Sequence, residues 1–172
     1  MMARIAELKG KKRALVVFAV VLMVVSGSYL PGKFSLTITD SVKYRLFWID
    51  SRTDRLDVGN YVVFGLDKGL AAGVELPEQV VLGEKVLAIK RIGCDQGQVL
   101  RVRDRVAHCG ENLISVAKTH SLEGVPLKAF EFTGVIPDGF VYLVGDSQDS
   151  FDSRYFGLIS RSEIMAWARP IF

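Results

Sequence analysis

Histidine, cysteine and proline are scarce in this chain of 172 residues, which contains two, two and five of them respectively. A structural zinc site needs four ligands in paired spacings, and His108 beside Cys109 with a distant His120 does not provide them. The few prolines and the 16 glycines also exclude a collagen-like or low-complexity chain. With 49% hydrophobic and 24% charged residues, the sequence is expected to fold, and its length suits one domain.

Net charge is concentrated at the N-terminus. The net charge is +3, but residues 1–13 carry five basic residues against one acidic residue, so the remainder of the chain sums to −1. A nearly neutral body lacks the basic surface that a nucleic-acid backbone requires. We therefore expect no nucleic-acid partner.

A long uncharged stretch follows the basic residues and covers positions 14–30. As a helix it measures about 25 Å, slightly less than the ~30 Å hydrocarbon core of a bilayer, and flanking Lys and Arg side chains can reach the interface. This predicts a cytoplasmic tail over 1–13, a transmembrane anchor over 14–30 and an exported domain over 31–172. A cleavable secretory signal is the alternative, because residues 26–28 are small enough for a cleavage site.

Both cysteines lie in the part of the chain that is exported under either interpretation. Oxidising conditions there favour a disulfide between Cys94 and Cys109, which would add about 3 kcal/mol of stability by the chain-entropy estimate. Two separate buried thiols are the alternative.

Short apolar or alternating runs, separated by turn residues rich in Gly, Asn and Asp, predict a mainly β domain without repeats. Only residues 162–168 suggest an amphipathic helix. The predicted strands cover residues 34–38, 61–64, 80–82, 85–92, 98–102 and 140–144.

One lysine falls on the apolar face of a predicted strand. With a period of two, Lys90 shares its face with Val86, Ala88 and Ile92. Such a lysine either reaches solvent at the strand end or loses its water and favours the neutral form. A base near neutral pH needs a pKa lowered by about 3 units from ~10.4, and burial alone can produce that shift.

A polar loop over residues 145–157 contains three Asp and three Ser. Its spacing does not suit a calcium loop, because Gln148, Phe151 and Gly157 occupy the third, sixth and twelfth positions. Taken alone, the loop is expected to be held together by Asp–Arg pairs and side-chain bonds to the backbone.

Read as a whole, this loop strongly resembles the C-terminal signature of type I signal peptidases. That signature is Gly-Asp-Asn, a short spacer, Ser-x-Asp-Ser-Arg, two aromatic residues and Gly. Lys90-Arg91-Ile92-Gly93, followed by Asp95-Gln96-Gly97, resembles the lysine box of the same family, and residues 56–64 resemble the box Arg-Gly-Asp-x-Val-Val-Phe. Order and spacing agree along nearly the whole exported part.

The resemblance implies a mainly β, signal-peptidase-like domain of coiled antiparallel sheets behind one N-terminal transmembrane helix. It also implies a Ser-Lys dyad that needs no metal or cofactor. By position, Ser41 matches the nucleophile, Lys90 the general base, Thr39 an oxyanion-hole residue, Ser150 the serine that orients the lysine, and Asp146, Asp152 and Arg154 the residues that brace the site.

The region after Ser41 distinguishes branches of the family. Most members have Ser-Met-x-Pro there, whereas this chain has Ser41-Val42-Lys43-Tyr44. Its small size and the sequence Leu46-Phe47-Trp48 favour the TraF-type branch, which matures conjugative pilins. The resemblance then implies a serine endopeptidase of the bacterial inner membrane with a periplasmic catalytic domain. Its partners would be the lipid bilayer and an exported precursor, a pilin, which it cleaves or cyclises by acyl transfer.

Two other functions are compatible with the same sequence. A general signal peptidase would remove signal peptides from many precursors. A catalytically inactive relative would serve as a component of pilus or secretion assembly, because the segment around Ser41 is the least typical of the family.

Overall fold

The backbone is mainly β. The computed structural model describes residues 33–37, 40–54, 56–67, 81–82 and 85–172. Within these ranges it contains twelve strands, one short α-helix α1 (Ser153–Phe156) and a 3-10 turn (Arg161–Glu163). The strands are β1 (Phe34–Leu36), β2 (Leu46–Asp50), β3 (Tyr61–Asp67), β4 (Val81–Leu82), β5 (Lys85–Asp95), β6 (Val99–Arg103), β7 (Val106–Cys109), β8 (Asn112–Val116), β9 (Phe132–Val135), β10 (Phe140–Val144), β11 (Ile159–Ser160) and β12 (Ile164–Pro170).

The strands form two antiparallel sheets, which confirms the predicted fold class at that level. Among the described residues, the larger sheet has the order β1-β2-β12-β3-β5-β10-β11, with β4 also paired to β5. The smaller sheet has the order β8-β7-β6-β9. The predicted tail and anchor, residues 1–13 and 14–30, lie outside the described residues. Within the described ranges, none of the helices has both the length and the apolar character needed to cross a bilayer.

Strand β5 is an interior strand of the larger sheet. It pairs with β3 over residues 85–91 and with β10 over residues 91–95. Its buried residues include Val86, Lys90 and Ile92, as the period-two pattern predicts for a strand with one apolar face. The lysine is therefore placed in the interior by the alternation of its own strand.

Three groups of buried side chains make up the core. The first, which includes Val62, Phe64, Ile92 and Leu143, belongs to the larger sheet. A second group packs beneath the smaller sheet and contains the disulfide between Cys94 and Cys109, the pairing that the sequence favours. A third group consists of Val42, Phe47, Tyr61 and Ala168.

The helix suggested for residues 162–168 is wrong. Only Arg161–Glu163 form a single 3-10 turn, and β12 follows. Ile164, Ala166 and Ala168 are buried in alternation, because β12 lies between β2 and β3 and packs one of its faces inward. The sequence pattern also missed β2, β7, β8, β9 and β11, which are strands of two to five residues.

Candidate active site

Lys90 carries the buried amine of the site. Only 4% of its surface is exposed, and its Nζ donates a hydrogen bond of 2.7 Å to the Ser150 hydroxyl. Burial lowers the pKa of the Lys90 amine to about 8, even though the negative charge of Asp152 acts in the opposite direction. The protein therefore holds an amine whose neutral form is accessible near physiological pH.

Gly145 is the point where Ser150 and Ser41 come together. A Cβ at this position would overlap the Ser150 hydroxyl and would stand 2.5 Å from the Ser41 carbonyl oxygen. Both groups thus pack against the same face of one residue, and only glycine leaves room for them. Through Ser150, the Lys90 amine is brought into the immediate neighbourhood of the Ser41 backbone.

Ser41 lies in a turn that is fixed by backbone hydrogen bonds. Its carbonyl oxygen accepts from the N–H of Asp146 at 2.9 Å and from the N–H of Ser147 at 3.3 Å. The next residue, Val42, is buried against the third core group. Ser41 is half-buried, whereas Ser150 is only 2% exposed, so of the two serines only Ser41 is accessible to an external molecule.

The Asp146 carboxylate holds the far end of the same turn. It accepts from the Lys43 N–H at 2.9 Å, from the Tyr61 hydroxyl at 2.7 Å and from Arg91 Nε at 3.1 Å. Loss of water by itself raises the pKa of Asp146, but these three donors overcome that effect and hold the pKa below its usual range. The Asp146 N–H also donates to the Ser41 carbonyl, so Asp146 holds the turn at Ser41 through its backbone and at Lys43 through its carboxylate.

Asp152 and Arg154 form a buried ion pair beneath the loop. The guanidinium donates to both carboxylate oxygens, at 2.8 and 2.6 Å, and both side chains are almost fully buried. Asp152 also accepts the Gly145 N–H at 2.8 Å, and Arg154 donates to the carbonyls of Ser147 at 2.8 Å and Ser150 at 3.0 Å. Burial alone would lower the pKa of Arg154, but its bond to Asp152 raises it. The pair fixes the loop and thereby the position of the Ser150 hydroxyl.

The structure thus brings most of the sequence-predicted site residues into one hydrogen-bonded network. Its members are Ser41, Lys90, Asp146, Ser150, Asp152 and Arg154. Thr39 lies outside the described residues. The chemical roles of all these residues stay predictions.

Two residues of the network were not singled out from the sequence. Tyr61 and Arg91 both bind the Asp146 carboxylate. Arg91 directly follows the lysine, so a basic neighbour was visible in the sequence. The part played by Tyr61 was not visible, because 85 residues separate it from Asp146.

The network is a set of acid–base groups and hydroxyls. Within the described part of the chain, no three His, Cys, Asp or Glu side chains are grouped so as to hold a metal ion. A desolvated amine whose hydroxyl partner, Ser150, packs beside the backbone of the half-buried Ser41 is an arrangement suited to nucleophilic chemistry with lysine as the proton acceptor.

The antiparallel β fold and the buried lysine–serine network are those of a class of protein that comparison of the sequence with known families identifies. The sequence profile of the signal peptidase family, peptidase S26, matches residues 11–172, and the chain belongs to this family. A similar protein, "Conjugal transfer protein TraF" of Agrobacterium fabrum (strain C58 / ATCC 33970), is 37% identical over 86 residues, which cover 49% of this chain and 48% of that relative. The chain therefore aligns with about half the length of this relative. A second protein of the same name, from Agrobacterium tumefaciens (strain 15955), is 27% identical over 171 residues and 90% of each chain.

Proposed function

We propose that this chain is a serine endopeptidase in which Ser41 is the nucleophile and Lys90 the general base. The observation that carries the proposal is the buried Lys90 amine, which is hydrogen-bonded to Ser150 where Ser150 and the Ser41 backbone pack against the same face of Gly145. A lysine acts as a base only when neutral, and burial favours that form. Membership of the signal peptidase family supports the assignment.

In this mechanism neutral Lys90 accepts the proton from the Ser41 hydroxyl while the oxygen attacks the scissile carbonyl carbon. The tetrahedral intermediate then collapses, the lysine returns the proton to the departing amine, and an ester on Ser41 remains. The Ser41 N–H and the Thr39 hydroxyl stabilise the oxyanion, and removal of one such donor typically costs about 3 kcal/mol. Ser150 orients the amine and does not attack, because it is buried.

The proposed substrate is an exported precursor, a conjugative pilin, with small side chains on both sides of the cut. The conjugal-transfer names of the two relatives support this substrate class. The ester on Ser41 is released either by water or by the precursor's own N-terminal amine, which gives a cyclic product. We further propose that residues 14–30 anchor the enzyme in the bacterial inner membrane, with the tail in the cytoplasm and the catalytic domain in the periplasm.

An anchor would serve the reaction by confining the enzyme and a membrane-embedded precursor to one surface. Confinement raises their effective concentration without any new contact. The proposal therefore predicts a larger loss of turnover on removal of residues 1–30 for a membrane-inserted precursor than for a short soluble peptide.

The test is incubation of the purified full chain with a conjugative pilin precursor, followed by intact-mass measurement of the products. We expect the wild type to process the precursor and Ser41→Ala and Lys90→Ala to lose ~10³-fold or more in rate. Lys85→Ala is the matched control, because Lys85 lies on the same strand but its amine pairs with Glu163 in a more exposed position. Linear and cyclic products differ in mass by one water.

Two results distinguish the alternatives. Comparable processing of unrelated precursors would favour a general signal peptidase. Unchanged processing in both Ser41→Ala and Lys90→Ala would exclude the dyad and favour an inactive assembly component.

A further inference from the structure

A cleft borders the candidate active site on its Ser150 side. It has a volume of about 310 Å³ and lies between the loop of residues 118–127 and the segment of residues 148–155. Ser150 forms part of its wall, so the cleft and the Lys90 network share a residue. Its apolar lining comprises Leu122, Val125, Pro126, Leu127 and Phe151.

The loop of residues 118–127 is held in a defined shape. The Arg105 guanidinium clamps both ends of it, donating to the Lys118 carbonyl at 2.6 Å and to the Leu127 carbonyl at 2.9 Å. At the tip, the Ser121 N–H donates to the Val125 carbonyl at 2.8 Å, and the Ser121 hydroxyl accepts the Val125 N–H at 3.2 Å. A wall that is already ordered loses little conformational freedom when something binds to it.

The same loop is tied to the segment that carries Ser150. Lys118 forms an ion pair with Asp149, and the Lys118 N–H donates to the Tyr155 hydroxyl at 3.1 Å. The rings of Tyr155 and Phe151 stack with their centroids 5.4 Å apart. Lys118 and Asp149 therefore neutralise each other, and the other ionisable residues of the lining, His120 and Glu123, are exposed to solvent on the loop. The wall formed by Phe151 and Tyr155 suits an uncharged apolar group.

The tip of the loop exposes large apolar side chains to solvent. Leu122 is 81% exposed and Val125 is 54% exposed. Apolar residues that rim a small pocket are typical of a surface that is covered when a ligand binds. Ser150 belongs to both the cleft lining and the Lys90 network, so a peptide side chain held in this cleft would lie next to the segment that carries the hydrogen-bond partner of the lysine.

We propose that the cleft is a recognition subsite for a large apolar side chain of the extended peptide that is processed at Ser41. This inference rests on the proposed function. It adds a second requirement to small residues beside the cut, namely a Leu- or Phe-like residue at one fixed distance from it. Leu122 is thereby assigned as a specificity-determining residue.

The first test uses the purified full chain and fluorogenic peptides with Ala at both positions flanking the cut. Each peptide of the series carries a single Leu at one of the remaining positions, and the reference peptide carries Ala in its place. We expect the wild type to prefer Leu at one position by about fivefold or more in kcat/KM, mainly through KM. Leu122→Ser should remove that preference, so that its kcat/KM for the Leu peptide falls to the value for the all-Ala peptide.

Leu113→Ser is the matched control, because Leu113 is 61% exposed but lies on β8 away from the cleft lining. It should retain the full preference for Leu. A wild type with no positional preference for Leu, or a preference that persists in Leu122→Ser, would overturn the subsite. Changing the Leu of the peptide and Leu122 of the enzyme separately and together isolates the interaction between these two side chains.

A binding measurement separates this proposal from the proposed function. A photo-crosslinking residue is placed at position 122 or 113 in the Ser41→Ala chain, which is then mixed with the Leu-bearing peptide and phosphatidylethanolamine–phosphatidylglycerol vesicles. Peptide labelling at position 122 but not at position 113 supports the subsite. If the wild type binds the peptide in this way but does not cleave it, only the proposed peptidase activity is contradicted. Labelling of lipid alone, or equal peptide labelling at both positions, overturns the subsite even if cleavage occurs.

Discussion

Lys90 and Ser150 are joined by a buried hydrogen bond of 2.7 Å although 60 residues separate them in the sequence. The bond replaces part of the water that the amine loses, while the hydroxyl carries no charge that would favour the ammonium form. Ser150 is in turn held through its carbonyl by Arg154. The Asp152–Arg154 ion pair therefore fixes the position of Ser150, and Ser150 in turn fixes the Lys90 amine.

The lowered pKa of Lys90 predicts the pH dependence of peptidase activity. The base must be neutral, so kcat/KM should rise about tenfold per pH unit in acid and level off above the lysine pKa of about 8. The measurement is cleavage of one fluorogenic peptide between about pH 6 and pH 10. A flat profile over this range, or a half-maximum above about pH 10, would contradict a desolvated base.

Lys90 is also predicted to reduce the stability of the fold. Its pKa falls from 10.5 to about 8 on folding, so the unfolded chain binds more protons between these values and stability rises with pH there. Below about pH 8 the buried ammonium therefore costs up to ~3 kcal/mol. Lys90→Met should raise the free energy of unfolding by about 2 kcal/mol at neutral pH, with a smaller gain as the pH approaches 10.

Urea unfolding of the two chains at several pH values measures this gain. Lys85→Met is the control, since its paired and partly exposed amine should change stability by less than about 1 kcal/mol. A Lys90→Met chain that is less stable than the wild type at neutral pH would argue against a desolvated lysine.

Gly145→Ala is predicted to damage the site more than the fold. The added methyl group overlaps the Ser150 hydroxyl and crowds the Ser41 carbonyl, so one of the two must move, at a cost of about 1–3 kcal/mol. Peptide cleavage should fall ~10²-fold, since a displacement of about 1 Å suffices for that. At Gly65 the nearest atom to an added Cβ is Lys85 Cδ, in a flexible side chain, so Gly65→Ala should retain activity. Equal activity of the two variants would contradict the proposed packing.

Asp152→Asn is predicted to destabilise the protein strongly. The guanidinium of Arg154 would remain buried without its counter-charge, which typically costs about 3–5 kcal/mol. Glu163→Gln breaks the more exposed pair with Lys85 and should cost less than about 1 kcal/mol. Thermal unfolding of both variants measures the loss of stability. Similar losses in the two variants would show that burial does not make the Asp152–Arg154 pair more important for stability than the more exposed pair.

Features that depend on neighbours in the sequence were predicted well. The alternation along β5 placed Lys90 on the buried face, and the loop motif identified Ser150, Asp152 and Arg154 as neighbours. Contacts between distant residues could not be derived from local patterns, although the family resemblance implied that Ser150 orients Lys90 and that Asp146 braces the site. The grip of Asp146 on the turn around Ser41 joins residues about a hundred positions apart, and no local pattern records it.

The incorrect secondary-structure prediction has a similar cause. Residues 164–168 contain Ala, Met and Trp, which fit a helix as readily as a strand. Their conformation is decided by β2 and β3, which pair with β12 on both sides and bury its alternate residues. Tertiary context thus overrides local preference in this part of the larger sheet.

The most direct test of the dyad is the identity of the serine that becomes acylated. The chain is mixed with a peptide ester, quenched in acid and digested, and the acyl group is located by mass spectrometry. We expect the added mass on Ser41 alone in the wild type, and no added mass in Lys90→Ala. An acyl group on Ser150, the serine that Lys90 contacts directly, or Ser41 labelling that persists without Lys90, would contradict the assignment of Ser41 and Lys90 as nucleophile and base.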